Sequence, residues 1–213
     1  GHEGSGIVED IGAGVKNIKV GDSVVLHWKK GSGIQSNPPK YSWKGKKLNA
    51  GWVTTFNTHA VVSENRCTPI PSTVSKKDAA LFGCAVTTGF GVVENNAKLK
   101  MGESIVIYGA GGIGLNIIQA AKMVSAWPII AIDLHDNRLQ LAEKLGATHL
   151  INSKKQNAYK FIKEYTKSSG LDVFIDNTGL PSIIEQGYEL VNPTGRVVLV
   201  GVPKMGSNIK IYS

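Results

Sequence analysis

Three glycines stand at Gly109-x-Gly111-x-x-Gly114 in the stretch "IVIYGAGGIGL". A turn of this kind lets a pyrophosphate approach bare backbone at the start of a helix, where amide dipoles favour an anion. Gly109 permits the tight turn, Gly111 keeps a Cβ out of the phosphate's path, and Gly114 lets the helix pack closely on the strand. The amides of Gly112 and Ile113 then open the helix toward the phosphates. Nineteen residues after Gly114, Asp133 ends the next apolar run. A carboxylate there accepts hydrogen bonds from the adenosine ribose and repels a 2′-phosphate, which predicts NAD over NADP. Arg138 is a cation beside the same ribose, and with Asp133 in place it does not reverse that expectation. The rival reading is a Gly-rich turn that binds something else. Strand, glycines, helix and acid in this order argue against it.

A second chemistry is spread over two distant residues, His2 and Cys84. A lone His is usually structural or exposed, and a lone Cys is usually a small buried hydrophobe. In the company of a dinucleotide fold, an imidazole and a thiolate suggest two ligands of a zinc ion whose open position takes substrate.

The elements that must carry these residues follow from periodicity. Residues 4–11, 23–28 and 52–62 are short, Val-rich and bounded by Gly or Asp, and predict strands of a small β domain. Residues 29–50 predict a long loop, and "TPIP" at Thr68–Pro71 predicts a break. Ser75 is placed to cap a helix, which Gly83, Gly89 and Gly91 would interrupt or thin. From Glu103 onward, near-continuous apolar runs alternate with amphipathic stretches. That predicts a parallel sheet covered on both faces, a doubly wound α/β domain.

Bulk composition narrows the function classes. The formal charge is +8, and Lys29, Lys30, Lys40, Lys44, Lys46 and Lys47 meet no acid between Asp22 and Glu64. No nucleic-acid motif accompanies them, so a solvated loop that attracts anionic substrates is expected, and no nucleic-acid partner. No apolar run reaches membrane-spanning length, and no charged-then-apolar leader is present, so no membrane partner is expected. Two cysteines make no disulfide framework, which points to a reducing compartment such as the cytoplasm.

The segment "GHEGSGIVEDIGAGVKNIKVGDSVV" resembles the signature of the zinc-containing, medium-chain alcohol dehydrogenases, through Gly1, His2, Glu3, Gly6, Val8, Gly12, Val15, Gly21, Asp22 and Val24. "GCAVTTGFG" at Gly83–Gly91 is similar to that family's segment around another zinc ligand. The resemblance implies a partial GroES-like catalytic domain at 1–80 and an NAD-binding Rossmann domain at 81–213, incomplete at its C-terminal end. It implies His2 and Cys84 as ligands of one catalytic zinc, with Glu3 as an outer or transient ligand. It implies that Thr88 touches the nicotinamide, that the backbone of Val200, Gly201 and Val202 bonds its carboxamide, and that Asn177 and Thr178 lie along the cofactor. Trp28, with Phe56 as a second candidate, would line the substrate pocket. The implied reaction is hydride exchange between an alcohol or polyol, or its carbonyl form, and NAD(H). The metal makes an otherwise weakly acidic alcohol able to lose its proton at neutral pH.

The sequence departs from that family in three places. The family's other cysteine ligand and its proton-relay hydroxyl and His are expected ahead of Gly1, and a chain without them is expected to be a poor catalyst. Residues 29–50 hold no cysteine, so no structural zinc is expected, and that lobe should be held by packing around Tyr41, Trp43 and Trp52. Cys67 reads as a structural thiol. The pattern stops at "NIKIYS", short of the family's last strand, so a longer protein is expected, one that forms a homo-oligomer. His27 and His59 lack ligand spacing with His2 and predict strand-face or pocket roles, while His135 and His149 predict exposed positions. Two rival functions remain: a zinc-free NADPH quinone or enoyl reductase of the same fold, and a non-catalytic dinucleotide-binding module.

Overall fold

The computed structural model describes residues 1–48 and 50–211. The chain divides into two compact units, Gly1–Thr87 and Thr88–Ser213, so the division falls seven residues beyond the expected boundary.

The first unit is built on a three-stranded antiparallel sheet, β1 (Gly4–Ile7), β2 (Ser23–Leu26) and β5 (Cys67–Pro69), with β2 in the middle. Gly4 pairs with Leu26 on one side, and Val24 pairs with Pro69 on the other. Pro69 is tolerated because β5 is an edge strand, where a missing amide costs little. The third strand therefore forms at Cys67–Pro69, where a break was expected. The expected strand at 52–62 does not form. Polar side chains there bond locally, as Asn57 Nδ2 does to the Thr54 carbonyl, and compete with ladder formation. Within 29–50 lies a hairpin, β3 (Tyr41–Trp43) and β4 (Lys46–Leu48). Its two turn residues, Lys44 and Gly45, both have positive φ, 50° and 74°, which matches the twist of a two-residue hairpin.

Of the three aromatics expected to hold that lobe, Trp43 is 60% exposed, whereas Tyr41 Oη accepts from the Val61 amide at 2.8 Å and Trp52 lies 5.7 Å from the Arg66 guanidinium. The buried carboxylate of Glu64 gathers further segments. Its Oε1 accepts from the amides of Lys16 (2.7 Å) and Asn17 (2.6 Å), and its Oε2 accepts from Ile34 (2.8 Å). These three amides hold the Glu64 carboxyl below its ordinary range. Ser63 Oγ accepts from Ser36 N (3.1 Å) and from Gln35 Nε2 (2.9 Å) and extends the network.

Ser75 caps α1 (Lys76–Ala79), and a 3₁₀ turn follows at Ala80–Gly83. Helical geometry breaks at Cys84, with φ −150° and ψ −64°, and resumes in α2 (Ala85–Gly91). Gly89 and Gly91 lie inside α2 and its continuation rather than interrupting them.

The second unit carries five parallel strands: β6 (Ile105–Tyr108), β7 (Ile129–Asp133), β8 (His149–Asn152), β9 (Leu171–Asp176) and β10 (Val191–Leu199). Their order is β10-β9-β6-β7-β8. The chain first builds outward from β6 through β7 to β8, then crosses to β9 on the other side. The strand alternation separates two cores. Ile105 and Ile107 face a layer with α3 (Gly112–Met123) and α4 (Asp136–Leu145), while Val106 and Tyr108 face one with α5 (Ala158–Tyr165) and α6 (Pro181–Leu190). Both faces are dry, which accounts for the unbroken apolar runs of the strands. Asp172 ties the entrances of β6 and β9. Burial would raise its pKa, but bonds from Ser104 and Asn192 outweigh that and lower it. His149 is half-buried rather than exposed, with the Tyr165 ring 4.7 Å from its own and Thr148 Oγ1 2.9 Å from its Nδ1.

Candidate functional site

In an open parallel sheet, ligands bind outside the carboxyl ends of the strands where the strand order reverses. Here that point lies between β6 and β9, and the loops after both strands meet there. The structure gives each motif glycine a different physical reason. Gly109 has φ 98°, a conformation that favours glycine. A Cβ on Gly114 would stand 2.0 Å from the Gly109 carbonyl oxygen, so only glycine lets α3 start this close to the strand. A Cβ on Gly111 would meet nothing within 4 Å. The fold itself leaves room for a side chain there.

Asp133 is buried at the end of β7, and its oxygens accept from the backbone amides of Ala110 (2.9 Å) and His135 (3.0 Å). It therefore braces the glycine turn, and each oxygen keeps further lone-pair capacity. Arg138 Nη1 lies 3.6 Å from Asp133 Oδ2. On the β9 side, Asp176 is fully buried and accepts from Thr178 N and Oγ1 and from Gly179 N. Asn177 Nδ2 reaches the Gly109 carbonyl at 3.4 Å, while its buried Oδ1 has no partner. A Cβ on Gly201 would stand 2.3 Å from Gly179 N, so the loop after β10 packs directly on the loop after β9. The amides of Val200 and Gly201 both donate to the Asp176 carbonyl (2.9 Å each). Of the three residues expected to bond a carboxamide, these two offer only their carbonyl oxygens, and Val202 is exposed. Thr88 lies in α2 and is half-buried.

In the first unit, Gly83 packs against β2 and against the backbone of Glu3. A Cβ there would lie 2.3 Å from the Leu26 carbonyl oxygen and 3.4 Å from Glu3 Cα. Glu3 Oε1 accepts from Ala85 N at 2.8 Å, which draws Glu3 and the Cys84 turn together. His2 has the Trp28 ring 5.9 Å from its own, and Phe56 lies over Gly1, where a Cβ would meet its ring at 2.9 Å. Thiol, imidazole and carboxylate suit zinc in kind. Among the described residues no group of three or more His, Cys, Asp and Glu side chains closes on a metal position. His27 belongs to the framework: its Nδ1 donates to the Lys29 carbonyl at 2.6 Å and its Nε2 lies 2.8 Å from Thr68 Oγ1. His59 pairs with Glu9 at the surface, 3.3 Å apart. Among the described residues no helix is long and apolar enough to cross a membrane.

Sequence reasoning missed Glu64 and Arg66. Their partners are backbone amides, an amide side chain and ring faces far away in the chain, and no local spacing announces such partners.

Comparison with known proteins agrees with this geometry. The profile of the alcohol dehydrogenase GroES-like domain matches residues 1–72, and that of the zinc-binding dehydrogenases matches residues 112–213. The S-(hydroxymethyl)glutathione dehydrogenase of Komagataella pastoris is 31% identical, over 98% of this chain and 63% of its own length. The benzyl alcohol dehydrogenase of Acinetobacter calcoaceticus superposes with a TM-score of 0.81 and 33% identity, over 99% of this chain and 64% of that one. A zinc-binding-domain alcohol dehydrogenase protein from Burkholderia ambifaria gives a TM-score of 0.83 and 31% identity, over 99% and 64%. The chain thus spans 63–64% of the length of these relatives. Glycine turn, bracing aspartate, the Gly83–Cys84 turn and the two matched profiles lead to one assignment: this chain belongs to the zinc-containing, medium-chain alcohol dehydrogenase family.

Proposed function

We propose that this chain carries the dinucleotide site and part of the metal site of a zinc-dependent oxidoreductase acting on an alcohol or its carbonyl form with NAD(H). The observation that carries the reading is Gly111, where the fold has room for a side chain and the sequence has none. A ligand that must touch the backbone at that point explains the choice, and a pyrophosphate on the α3 amides of Gly112 and Ile113 is the ligand this turn suits. The orphaned Asn177 Oδ1 supports it by offering an acceptor to a ligand donor beside Gly109. Asp133, held by two amides, would present its remaining lone pairs to the ribose hydroxyls, with Arg138 alongside. Thr88, Thr178, Val200, Gly201 and Val202 would complete the nicotinamide side.

His2 and Cys84 would hold one zinc ion, with Glu3 as an outer or transient ligand, and no structural zinc is expected. Bound there, zinc supplies Lewis acidity that lets an alcohol oxygen give up its proton at neutral pH. The chain's own residues do the rest. Ala85 N–H restrains the Glu3 carboxylate, and Gly83 keeps the Cys84 turn against β2. Trp28 and Phe56 would offer apolar surface on the substrate side. The relatives' printed substrates, S-(hydroxymethyl)glutathione and benzyl alcohol, set the class to try first.

The test is Gly111→Ala. With no atom within 4 Å of the added methyl, stability should change by less than ~0.5 kcal/mol, as at a surface site. NADH affinity, measured by fluorescence titration, should fall at least ~10-fold, because the methyl occupies the phosphate's approach. Unchanged affinity would sink the dinucleotide reading, and tighter NADPH than NADH binding in the native chain would sink the role given to Asp133.

A further inference from the structure

Arg66 has no evident reason to be where it is. It follows Glu64 and Asn65 in a short 3₁₀ turn at the start of β5 and is 4% exposed. Among the described residues no carboxylate lies within ion-pair distance of it. Its Nε and Nη2 both donate to Gln35 Oε1, at 3.2 and 3.1 Å. The remainder of its surroundings is aromatic. The guanidinium carbon lies 5.9 Å from the Trp28 ring centre and 5.7 Å from that of Trp52. A planar cation stripped of water and set against indole faces is strongly attracted to their electron-rich surfaces. The backbone on both sides is anchored too: Arg66 N donates to the Ser63 carbonyl (2.9 Å), and His27 N donates to the Arg66 carbonyl (3.0 Å). Trp28 is thereby gripped on one side by a residue that cannot easily move.

The other neighbour of Trp28 is His2, with ring centres 5.9 Å apart. Trp28 as a residue is 52% exposed. Phe56, 90% exposed and seated on Gly1, adds a second open aromatic surface next to the same residue. A buried cation without a carboxylate partner is costly to maintain, and here it lies against a half-exposed tryptophan beside the candidate metal ligand.

We propose that Arg66 is a positioning residue: clamped against Trp28 and Trp52 and bonded to Gln35, it fixes Trp28 beside His2 as a flat apolar wall and tunes the site to alcohols bearing an aromatic group. The substrate part of this inference rests on the reading of His2 as a metal ligand, whereas the clamp stands without it.

The test is a double-mutant cycle on the full chain with Arg66→Met, Trp28→Ala and the combination, each checked for folding by far-UV circular dichroism. Benzyl alcohol and ethanol serve as probes, followed by quenching of tryptophan fluorescence. Arg66→Met should weaken benzyl alcohol about 10-fold and ethanol by less than about 2-fold. It should also remove the near-UV dichroism band that Trp28→Ala removes. In the Trp28→Ala background, Arg66→Met should have no further effect on benzyl alcohol. Arg66→Lys, which keeps charge without the planar fork, should fall between native and Met. Additive effects of the two substitutions, or native benzyl alcohol binding by Arg66→Met, would overturn the proposal. If Arg66→Met does not fold, Arg66→Lys and Gln35→Leu replace it in the cycle, and additivity with Trp28→Ala is again fatal. Cobalt(II) absorption of the native chain tests the metal reading separately. A cycle that couples while cobalt fails to bind refutes the metal reading and upholds the clamp.

Discussion

The two units of this chain reach order by opposite means. In the second, every sheet residue of β6 and β7 is buried, and Phe174, Ile117, Ile162 and their neighbours leave no room for water. In the first, few apolar side chains are buried, among them Val24, Val25 and Val53, while Ser63, Glu64, Asn65 and Arg66 are buried in sequence. One unit removes apolar area from water, a term that needs no particular partner. The other pairs buried polar groups one by one, Asn65 Oδ1 excepted, and each bond counts because a buried group left unpaired is costly. The difference suits the work proposed for each. A dinucleotide cradle must hold backbone atoms in register at a strand end, whereas a metal and substrate site needs open, polar, reachable side chains.

The apolar packing of the second unit is most exposed to mutation at Phe174, which lies fully buried in β9 with Gly187 of α6 close against its ring. Phe174→Ala should cost the second unit about 3–5 kcal/mol in urea unfolding. A loss under about 1 kcal/mol would show that the apolar layer is not what holds it. Gly114→Ala comes next, since its methyl must displace the Gly109 carbonyl from 2.0 Å. Overpacking of this kind should cost about 1–3 kcal/mol and also weaken NADH, unlike Gly111→Ala, which should affect only NADH.

The first unit should respond to acid rather than to truncation. Glu64 is held below its usual 4.5 by the Ile34, Asn17 and Lys16 amides. As pH falls, the unfolded chain takes up this proton first. The stability Glu64 confers is therefore complete above pH 4.5 and drains away as pH drops through the folded value. Unfolding midpoints of residues 1–87, read by amide exchange between pH 6 and 3, should fall in the native chain and stay flatter in Glu64→Gln. Parallel slopes would remove Glu64 from its central role. The smallest effect concerns Cys67, whose thiol is pushed up to about 11 by burial and then by the nearby Glu64 charge. At pH 8 its alkylation, followed by mass spectrometry of the peptide, should run roughly 100-fold slower than that of an ordinary exposed thiol. Rapid labelling would mean that the polar unit opens readily.

The alternation of strands and helices in the second unit is legible in the amino-acid pattern. Strand runs such as "IVIY" and "IIAID" and the amphipathic stretches between them carry their own period, and buried faces on both sides demand that pattern. The turn of Gly109–Gly114 between β6 and α3, with Asp133 ending β7, is legible too, because that pattern is local: a strand, a turn and a helix with an acid at fixed spacing. The sequence misjudged residues 52–62, where Val53 and Val61 suggested a strand, and Thr68–Pro71, where two prolines suggested a break. Edge position decides whether Pro69 is tolerated, and edge position is a property of the sheet, not of the segment. Only the tertiary structure decided that Asp133 braces the turn through Ala110, that Val200 and Gly201 spend their amides on Asp176, and that the Cys84 turn meets Glu3. It alone brought Arg66 between Trp28 and Trp52. Each of these is a contact between single polar or aromatic groups 14 to 82 residues apart. Such contacts leave no periodic trace, because one bond satisfies them and nothing about it needs to repeat.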